Sequence, residues 1–311
     1  MIVRLPAWWV RMGAMQRREA RAGLLFVLPW LLSLLIFTTY PVLATFYLSL
    51  TDYNVVQPPT WVGLHNYRTM LTADPAFWTS VFNTAYYTLL AVPLGLVGSL
   101  GLALLLNLRV RGLGVYRTLI YLPVLAPPVA STIIFIGLFD PDGGPINAVL
   151  QQVGLPAPGW LNDPTWSKPA LVILNLWGLG AGALIFLAGL QDIPQALLDA
   201  AAIDGAGPWQ RFRYVTLPLL TPVLLFNLVI GLINALHVFT PALIIGGTTG
   251  KPLESTLMLM VHIYRNAFRY FAMGYASALA VVLFLAVLAM TLAVFGSARG
   301  WVYYAGGDRQ G

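Results

Sequence analysis

The stretch Val81–Leu106, VFNTAYYTLLAVPLGLVGSLGLALLL, decides the fold of this chain. It contains no Asp, Glu, Lys or Arg over 26 residues. A helix needs about 20 apolar residues to cross about 30 Å of hydrocarbon, where each backbone polar group must find its hydrogen-bond partner within the segment. This stretch therefore predicts a membrane-spanning helix.

Five more apolar blocks occur in the sequence, so that six membrane-spanning helices are predicted in total. The composition agrees, because only 9% of the 311 residues are charged, against roughly 25% in soluble domains. The fold class is therefore an all-α polytopic membrane protein, with a basic segment at 1–23, a transmembrane domain at 24–296 and a tail at 297–311. The other five blocks are Leu24–Leu50, Leu119–Phe139, Pro169–Leu190, Leu217–Leu236 and Ser277–Gly296.

The distribution of basic residues predicts the orientation. Twelve of the 17 fall on one side, in the N-terminal segment, the second and fourth connections and the tail, among them Arg4, Arg11, Arg109 and Arg309. Cytoplasmic segments carry the excess of Lys and Arg, so both termini are expected in the cytoplasm. On the other side, Thr256–Tyr264 is apolar but spans only about half a membrane at about 1.5 Å per residue. It predicts a surface or re-entrant helix.

The chain lacks the residue types that most catalytic sites require. It has no cysteine, which excludes disulfides and thiolate metal sites, and its apolar blocks carry no paired ionisable groups for an intramembrane enzyme. The segment Gly246–Lys251 matches a phosphate-binding loop only in part, because Pro252 stands where Ser or Thr would bind magnesium. No catalytic residue, metal or cofactor is expected on this chain, and the scattered basic residues do not indicate nucleic acid.

The connection between the fourth and fifth blocks is the most informative segment. Ile193–Pro222, IPQALLDAAAIDGAGPWQRFRYVTLPLLTP, predicts a helix, a glycine turn and a second helix. Asp192 is expected to be the N-cap of the first helix. Gly205 fits the left-handed position that ends a helix, and Pro208 is suited to start the second one.

The first of these helices is too short to be stable alone, so it must pack against something. Alanines at 200–202 make one face small, and Asp199 supplies a charged hydrogen-bond acceptor. Such a helix suits docking in a cleft of a cytoplasmic partner that pushes on it. The alternatives are a helix resting on the bilayer and an anchor for a partner without transport. The apolar contacts would come from Leu197, Leu198 and Ile203.

Within this segment Asp199-Ala200-Ala201, followed by Gly205 and Leu217-Pro218, resembles the EAA loop of the permeases of binding-protein-dependent ABC importers. Asp199 stands where that family usually has glutamate, which keeps the charge and shortens its reach by one methylene group. Four further blocks are similar to the sugar and glycerol-phosphate branch, which is related to the maltose-type permeases: WLNDP (160–164), FLAGLQDIP (186–194), ESTLMLMVHIYRNAF (254–268) and MGYASALAVVL (273–283).

The resemblance implies a type I importer permease with its coupling loop at 191–218, in the cytoplasmic (inner) membrane of a bacterial or archaeal cell. It implies a second, related permease subunit, two ATP-binding subunits that hold ATP and magnesium, an extracytoplasmic solute-binding protein, and a sugar or polyol as the solute. It also implies which residues contact the ATPase subunits, namely Leu198, Asp199, Ala200, Ala201, Asp204, Gly205 and Ala206.

Polar and aromatic residues in the fourth and fifth blocks are the candidate solute contacts, since a neutral polyol is bound by hydrogen bonds and aromatic faces. Glycines there, including Gly182, would open room for a sugar ring. The alternative is structural, because asparagines in lipid often bridge helices and Gly178-x-x-x-Gly182 is also a close-packing pattern. The candidates are Asn175, Trp177, Gly178, Asn227, Asn234, His237 and Phe239.

Overall fold

The computed structural model describes residues 13–108 and 111–303. Arg4, Arg11, Arg109 and Arg309, which enter the prediction of orientation, lie outside these residues. The same holds for positions 1–12 of the N-terminal segment and 304–311 of the tail.

The described residues fold almost entirely into helices, with one two-stranded antiparallel hairpin near the start. In chain order the elements are α1 (Ala14–Leu34), α2 (Tyr40–Leu48), β1 (Thr51–Asp52), β2 (Thr60–Trp61), α3 (His65–Thr72), α4 (Pro75–Leu106), α5 (Leu113–Tyr121), α6 (Pro128–Leu138), α7 (Pro145–Gln152), α8 (Pro164–Leu176), α9 (Leu179–Gln191), α10 (Gln195–Ile203), α11 (Pro208–Arg211), α12 (Leu217–Leu219), α13 (Thr221–Leu236), α14 (Thr240–Gly246), α15 (Leu259–Tyr264) and α16 (Met273–Trp301). Short π-helical turns follow α1, α11 and α15 at Leu35–Thr39, Phe212–Thr216 and Arg265–Arg269.

Four helices in the described residues are long and apolar enough to cross a membrane, and the number rises to six if each of two bent pairs is one span. The four overlap the predicted first, second, fifth and sixth blocks. In the fifth, the long helix begins at Thr221 and not at Leu217, because α12 forms a separate short turn before it. The four helices are Arg18–Leu48, Pro75–Leu106, Thr221–Thr249 and Met273–Trp301.

The third predicted span is not one helix. Leu113–Leu125 and Pro128–Leu138 meet at an angle of 99°, and Ala126 between them has an extended backbone with φ −71° and ψ 132°. Proline disfavours the helical conformation in the residue before it, so Pro127 ends the first half. The prediction of an unbroken helix over Leu119–Phe139 is therefore wrong, because a hydropathy pattern averages over the break. That the two halves together form one span stays a prediction.

The fourth predicted span also bends. Pro164–Leu176 and Leu179–Gln191 meet at 46°, and Trp177 and Gly178 separate the two helices. Both helices pack against α4, and α9 also packs against α5 and α13.

Helix α4 is central and packs against α8, α9 and α13. Two glycines of α9 allow close approaches, Gly180 to Ile120 of α5 and Gly182 to Ser99 of α4. A Cβ atom added to Gly180 would collide with the carbonyl oxygen of Ile120, and one added to Gly182 would lie 2.7 Å from Oγ of Ser99. Ser99 Oγ also donates to the carbonyl oxygen of Leu179 (3.0 Å). Packing and hydrogen bonding therefore both fix α9 against α4.

The two ends of α4 define the two ends of the bundle. At its beginning lies the hairpin, where the N–H of Gly274 donates to the carbonyl oxygen of Tyr53 (3.0 Å). We call this the hairpin end. At the other end of α4, Leu104 and Asn107 line a cavity together with Gln195. We call this the loop end, because it carries residues 191–218.

Helix α15 lies at the hairpin end and is buried. Leu257 and Val261 have no exposed surface, and the N–H of Leu259 donates to Oγ1 of Thr84 in α4 (2.9 Å). The helix predicted over Thr256–Tyr264 is therefore present as the shorter α15 and packs against other helices of the chain, while its placement at the membrane surface or as a re-entrant segment stays a prediction. Its apolar side chains are covered by α4 and α16.

The close approach at Gly180 can be tested by adding one methyl group. We expect Gly180→Ala to lower the free energy of unfolding by about 1–3 kcal/mol, because the Ile120 backbone must shift to admit the Cβ atom. Gly101→Ala in α4 is the matched control, since nothing lies within 4 Å of a Cβ atom at that position. Thermal unfolding in detergent measures both variants, and equal transition temperatures would contradict the packing described for α9.

Candidate functional site

Helix α10 begins at Gln195, directly after Pro194. The prediction that Asp192 caps this helix is wrong. Asp192 instead follows the last residue of α9, where its N–H donates to the carbonyl oxygen of Ala188 (3.1 Å). The position before α10 is held by Pro194, which makes no side-chain hydrogen bond to the helix. Proline there fixes φ and leaves one fewer N–H group to satisfy.

The end of α10 is closed by main-chain hydrogen bonds. Gly205 has φ +82°, as predicted. Its N–H donates to the carbonyl oxygen of Ala202 (3.1 Å), and the N–H of Ala206 donates to that of Ala201 (2.9 Å). This pair of bonds is the Schellman arrangement, which requires a left-handed residue after the helix. Asp204, one residue earlier, donates its N–H to Ala200 (3.0 Å).

A second helix follows the turn, as predicted. The side-chain oxygen Oε1 of Gln210 accepts from the N–H of Gly207 (2.8 Å), and Pro208 is the first residue of α11. The chain then passes through the π-helical turn Phe212–Thr216 into α12 and α13. Residues 191–218 therefore connect α9 to α13 with only short breaks in helical structure.

Helix α10 has one side against the protein and the other exposed. Leu198 and Ala201 are half-buried, and Leu198 lines a cavity of about 270 Å³ beneath the helix. Asp199 lies on the exposed side, where its Oδ1 accepts from Nε2 of Gln195 (3.0 Å). The alanines at 200–202 do not share one face, because Ala201 is half-buried and its two neighbours are exposed. Leu197 and Ile203 are also exposed.

A second cavity, of about 230 Å³, lies between α4, α8, α9 and α13. It brings together most of the polar residues predicted as solute contacts, and none of the described residues that line it is charged. The predicted residues on its wall are Asn175, Gly178, Gly182, Asn227 and Asn234.

The polar side chains of this cavity differ in the hydrogen bonds that they make within the chain. Asn227 donates from Nδ2 to the carbonyl oxygen of Val223 (3.0 Å), and Ser99 donates to Leu179 as described. Within the described part of the chain, the side-chain amides of Asn175 and Asn234 make no hydrogen bond. Both of these asparagines are exposed in this chain.

Three predicted residues do not line this cavity. The Trp177 ring packs edge-on against Phe135, with ring centroids 5.6 Å apart. His237 bonds through Nδ1 to the carbonyl oxygen of Ile233 (2.7 Å), and the Phe239 ring packs on Tyr264.

Sequence reasoning missed the contribution of α4 to the cavity. Gly95 and Ser99 of α4 lie on the wall, as does Gly231 of α13. A signal was available in the four-residue spacing of Gly95 and Ser99, since small residues at that spacing mark close helix contacts in membranes.

The hairpin end contains a buried cluster of charged and polar groups. Asp74 Oδ2 accepts from Nε2 of His262 (2.8 Å) and from the hydroxyl of Tyr275 (2.6 Å). Nδ1 of His262 accepts from Nη2 of Arg265 (2.9 Å). This second bond places the ring proton on Nε2, so the histidine is neutral. The cluster joins the start of α4 to α15 and α16.

Burial of the ring lowers the pKa of His262, and this effect outweighs the Asp74 carboxylate, which raises it. The guanidinium of Arg265 adds to the lowering. Burial alone would raise the pKa of Asp74, but the hydrogen bonds from Tyr275 and His262 lower it below its usual 3.8. Both shifts keep the cluster in one protonation state at neutral pH.

The described residues thus form long apolar helices around a mainly apolar, uncharged cavity that contains a few amides and a hydroxyl. The chain belongs to the family of binding-protein-dependent transport system inner membrane components, whose profile matches residues 91–299. The resemblance found in the sequence is thereby confirmed at the level of the family.

Two relatives cover most of the chain. The probable ABC transporter permease protein YesP of Bacillus subtilis (strain 168) is 42% identical over 290 residues, 93% of this chain and 94% of that protein. The trehalose/maltose transport system permease protein MalF of Thermococcus litoralis is 36% identical over 277 residues, 88% of this chain and 92% of that protein.

A solved structure has the same fold. It is a crystal structure of a bacterial alginate ABC transporter in complex with an alginate pentasaccharide-bound periplasmic protein. One chain of it superposes with a TM-score of 0.79 at 24% identity, covering 92% of this chain and 98% of that chain.

The His262 cluster predicts how stability depends on pH. Because the pKa of His262 in the folded protein lies below its ordinary value of 6.5, the unfolded chain takes up a proton first as the pH falls. Stability is therefore complete above about pH 6.5 and declines below it. We expect the unfolding temperature to fall between pH 7.5 and 5, and His262→Gln to flatten that profile. His65→Gln, at an exposed histidine, should retain it, and a flat wild-type profile would contradict the assignment.

Proposed function

We propose that this chain is one of two permease subunits of an ATP-driven importer and forms half of its translocation pathway. One observation carries the proposal: exposed helix α10 is linked on both sides to α9 and α13, which line the cavity. A push on α10 from a separate ATPase subunit would therefore reach both walls of the cavity. The main-chain closure at Gly205 makes α10 a firm point of attachment.

The proposed solute is a carbohydrate or a related polyol. Its support is the chemistry of the cavity, where amides and a hydroxyl lie among apolar side chains and the described lining residues carry no charge. Neutral hydroxyl groups need hydrogen-bond partners and no counter-ion. The trehalose/maltose permease of Thermococcus litoralis, at 36% identity, supports the same class. Asn175 and Asn234 are the proposed contacts, with Asn227 beside them.

The proposed topology has six spans, with each bent pair crossing the membrane once. In it the loop end faces the cytoplasm, as the distribution of arginines predicts. A contact at the end of α16 supports placing the C-terminal tail at the loop end. There the N–H of Tyr303 donates to Oγ1 of Thr221 at the start of α13 (2.8 Å). The proposed partners are a second permease beside this chain, two ATPase subunits at the loop end, and a solute-binding protein at the hairpin end. ATP and magnesium are bound by the ATPase subunits.

The experiment that tests this proposal is co-expression with the ATP-binding and permease subunits encoded in the same genome, followed by purification and reconstitution. We expect a complex that contains ATPase subunits and takes up labelled sugar only when ATP is supplied on the loop-end side. Purification of this chain without any ATPase subunit would contradict the proposal and favour a simple membrane anchor.

Gly205→Val is expected to uncouple ATP hydrolysis from uptake. A left-handed backbone costs a non-glycine residue about 1–2 kcal/mol, and this cost is higher for a β-branched side chain such as that of valine. The variant should still reach the membrane, because the turn lies outside the apolar helices. The matched control is Gly207→Ala, where φ is −68°. Transport by reconstituted Gly205→Val at the wild-type rate would count against the proposed role of this turn.

Asp199→Ala is expected to weaken co-purification of the ATPase subunits about fivefold, the size of effect of an exposed ion pair worth about 1 kcal/mol. Expression should change less, since Asp199 is exposed and its described partner is Gln195 on the same helix. Gln195→Ala is the control, because it removes the internal hydrogen bond and keeps the charge. Equal losses of expression and co-purification would indicate misfolding and not a lost contact.

A further inference from the structure

The described residues include four with positive φ that are not glycine: Val55 (+70°), Leu253 (+45°), Glu254 (+58°) and Phe271 (+55°). All four lie at the hairpin end. Positive φ is uncommon outside glycine, and for a β-branched residue such as valine it is an outlier. Such strain persists where the surrounding structure holds it, and it clusters at binding sites.

Three of the four strained residues are apolar and exposed. Leu253 is 86% exposed, Phe271 55% and Val55 50%, and Val56 next to it is 89% exposed. A strained residue in a core is compensated by the packing of its own side chain. Leu253 buries little, and Phe271 and Val55 bury only about half of their surface, so their packing within the chain is incomplete.

The segments that carry these residues form one surface, which we call the ledge and define as residues 51–56, 251–255 and 265–274. Gly274 donates its N–H to the carbonyl oxygen of Tyr53 (3.0 Å). Oε1 of Glu254 lies 3.6 Å from Nη1 of Arg265. These two contacts join all three segments.

Buried polar contacts hold the ledge in place from beneath. Nδ2 of Asn83 donates to the carbonyl oxygens of Glu254 (2.7 Å) and Leu257 (3.1 Å). The hydroxyls of Ser167 and Ser255 lie 2.7 Å apart. With the cluster around His262, these bonds order the ledge before any partner arrives, which reduces the entropy lost on binding.

We propose that Leu253, Phe271 and the Val55–Val56 tip are the anchors through which the ledge docks the extracytoplasmic solute-binding protein. The proposal rests on the proposed function and adds the residues that make the contact. Exposed apolar side chains in fixed positions are suited to fill pockets of a partner, where a few anchors supply most of the binding energy. The family to which the chain belongs depends on a binding protein.

The position of the ledge favours this partner over the second permease. The ledge consists of chain reversals beyond the ends of α2, α14 and α15, at the opposite end of the bundle from α10. A second permease packs beside the membrane helices, whereas a protein in the external medium meets their ends. The ledge therefore faces the proposed path of solute delivery.

Site-specific photo-crosslinking in intact cells tests the proposal on the full assembly. A photoreactive amino acid is incorporated at positions 253, 271 and 56, and at Val153 as a control, which is exposed after α7 and lies outside the ledge. We expect mass spectrometry to identify a solute-binding protein in the adducts from the three ledge positions, at about fivefold or higher yield than at 153. Adducts with the second permease or lipid alone, or equal yield at 153, would overturn it.

Leu253→Gly removes the Leu253 side chain without a folding defect, and the crosslinking yield of this variant is a second test. Glycine accepts φ +45° without strain, so the variant should unfold at the wild-type temperature or above it. The crosslinking yield from position 271 to the binding protein should still fall about fivefold, as for loss of an interface anchor. An unchanged yield would overturn the role of Leu253.

The two levels of proposal fail in different ways. If ATPase subunits co-purify but the binding protein crosslinks only at 153, the ledge is wrong and the importer function stands. If no position crosslinks a binding protein and no ATPase subunit co-purifies, the proposed function fails together with the ledge.

Discussion

The structure depends on one constraint, that a backbone inside hydrocarbon must satisfy its own hydrogen bonds. Continuous helices meet it without help, and a break in a helix is tolerated where it is buried in protein or lines a water-filled cavity. At the first bend Trp177 and Gly178 are exposed, and Ser99 of α4 donates to the carbonyl oxygen of Leu179 beside them. At the second break Pro127 and Pro128 are exposed, and the preceding helix contacts α9 where Gly180 approaches the backbone of Ile120. The 230 Å³ cavity adjoins the first of these bends, so the candidate site lies where a helix is interrupted.

The sequence predicted what local chemistry controls. Hydropathy predicted the long helices, because every lipid-facing residue of a membrane-spanning helix must be compatible with hydrocarbon. The turn at Gly205 was predicted because a left-handed helix end depends on few neighbours. The 99° bend was not, since its angle is set by packing on distant helices. The burial of the segment after Thr256 depends likewise on α4 and α16, which hydropathy along the chain does not include.

The candidate site was predicted in part, for the same reason. Asn175, Asn227 and Asn234 stood out as amides in apolar blocks, and the structure places all three on one cavity wall. Trp177, His237 and Phe239 lie in the same apolar blocks, but their side chains contact Phe135, the carbonyl oxygen of Ile233 and Tyr264 and do not line the cavity. Hydropathy along the chain does not contain these contacts. The cluster of Asp74 and His262 joins residues 188 positions apart. No periodic pattern connects them, so only the tertiary structure reveals the pair.

The closure of α10 has an evolutionary consequence. Its turn is held by bonds between backbone atoms, which persist when the exposed side chains at 197, 199 and 203 are exchanged. In the proposed complex, recognition of an ATPase subunit could therefore diverge by surface substitution while α10 keeps its shape. Under that proposal, a genome that encodes several such transporters could match each permease to its own ATPase, or let several share one, without changes to the membrane helices.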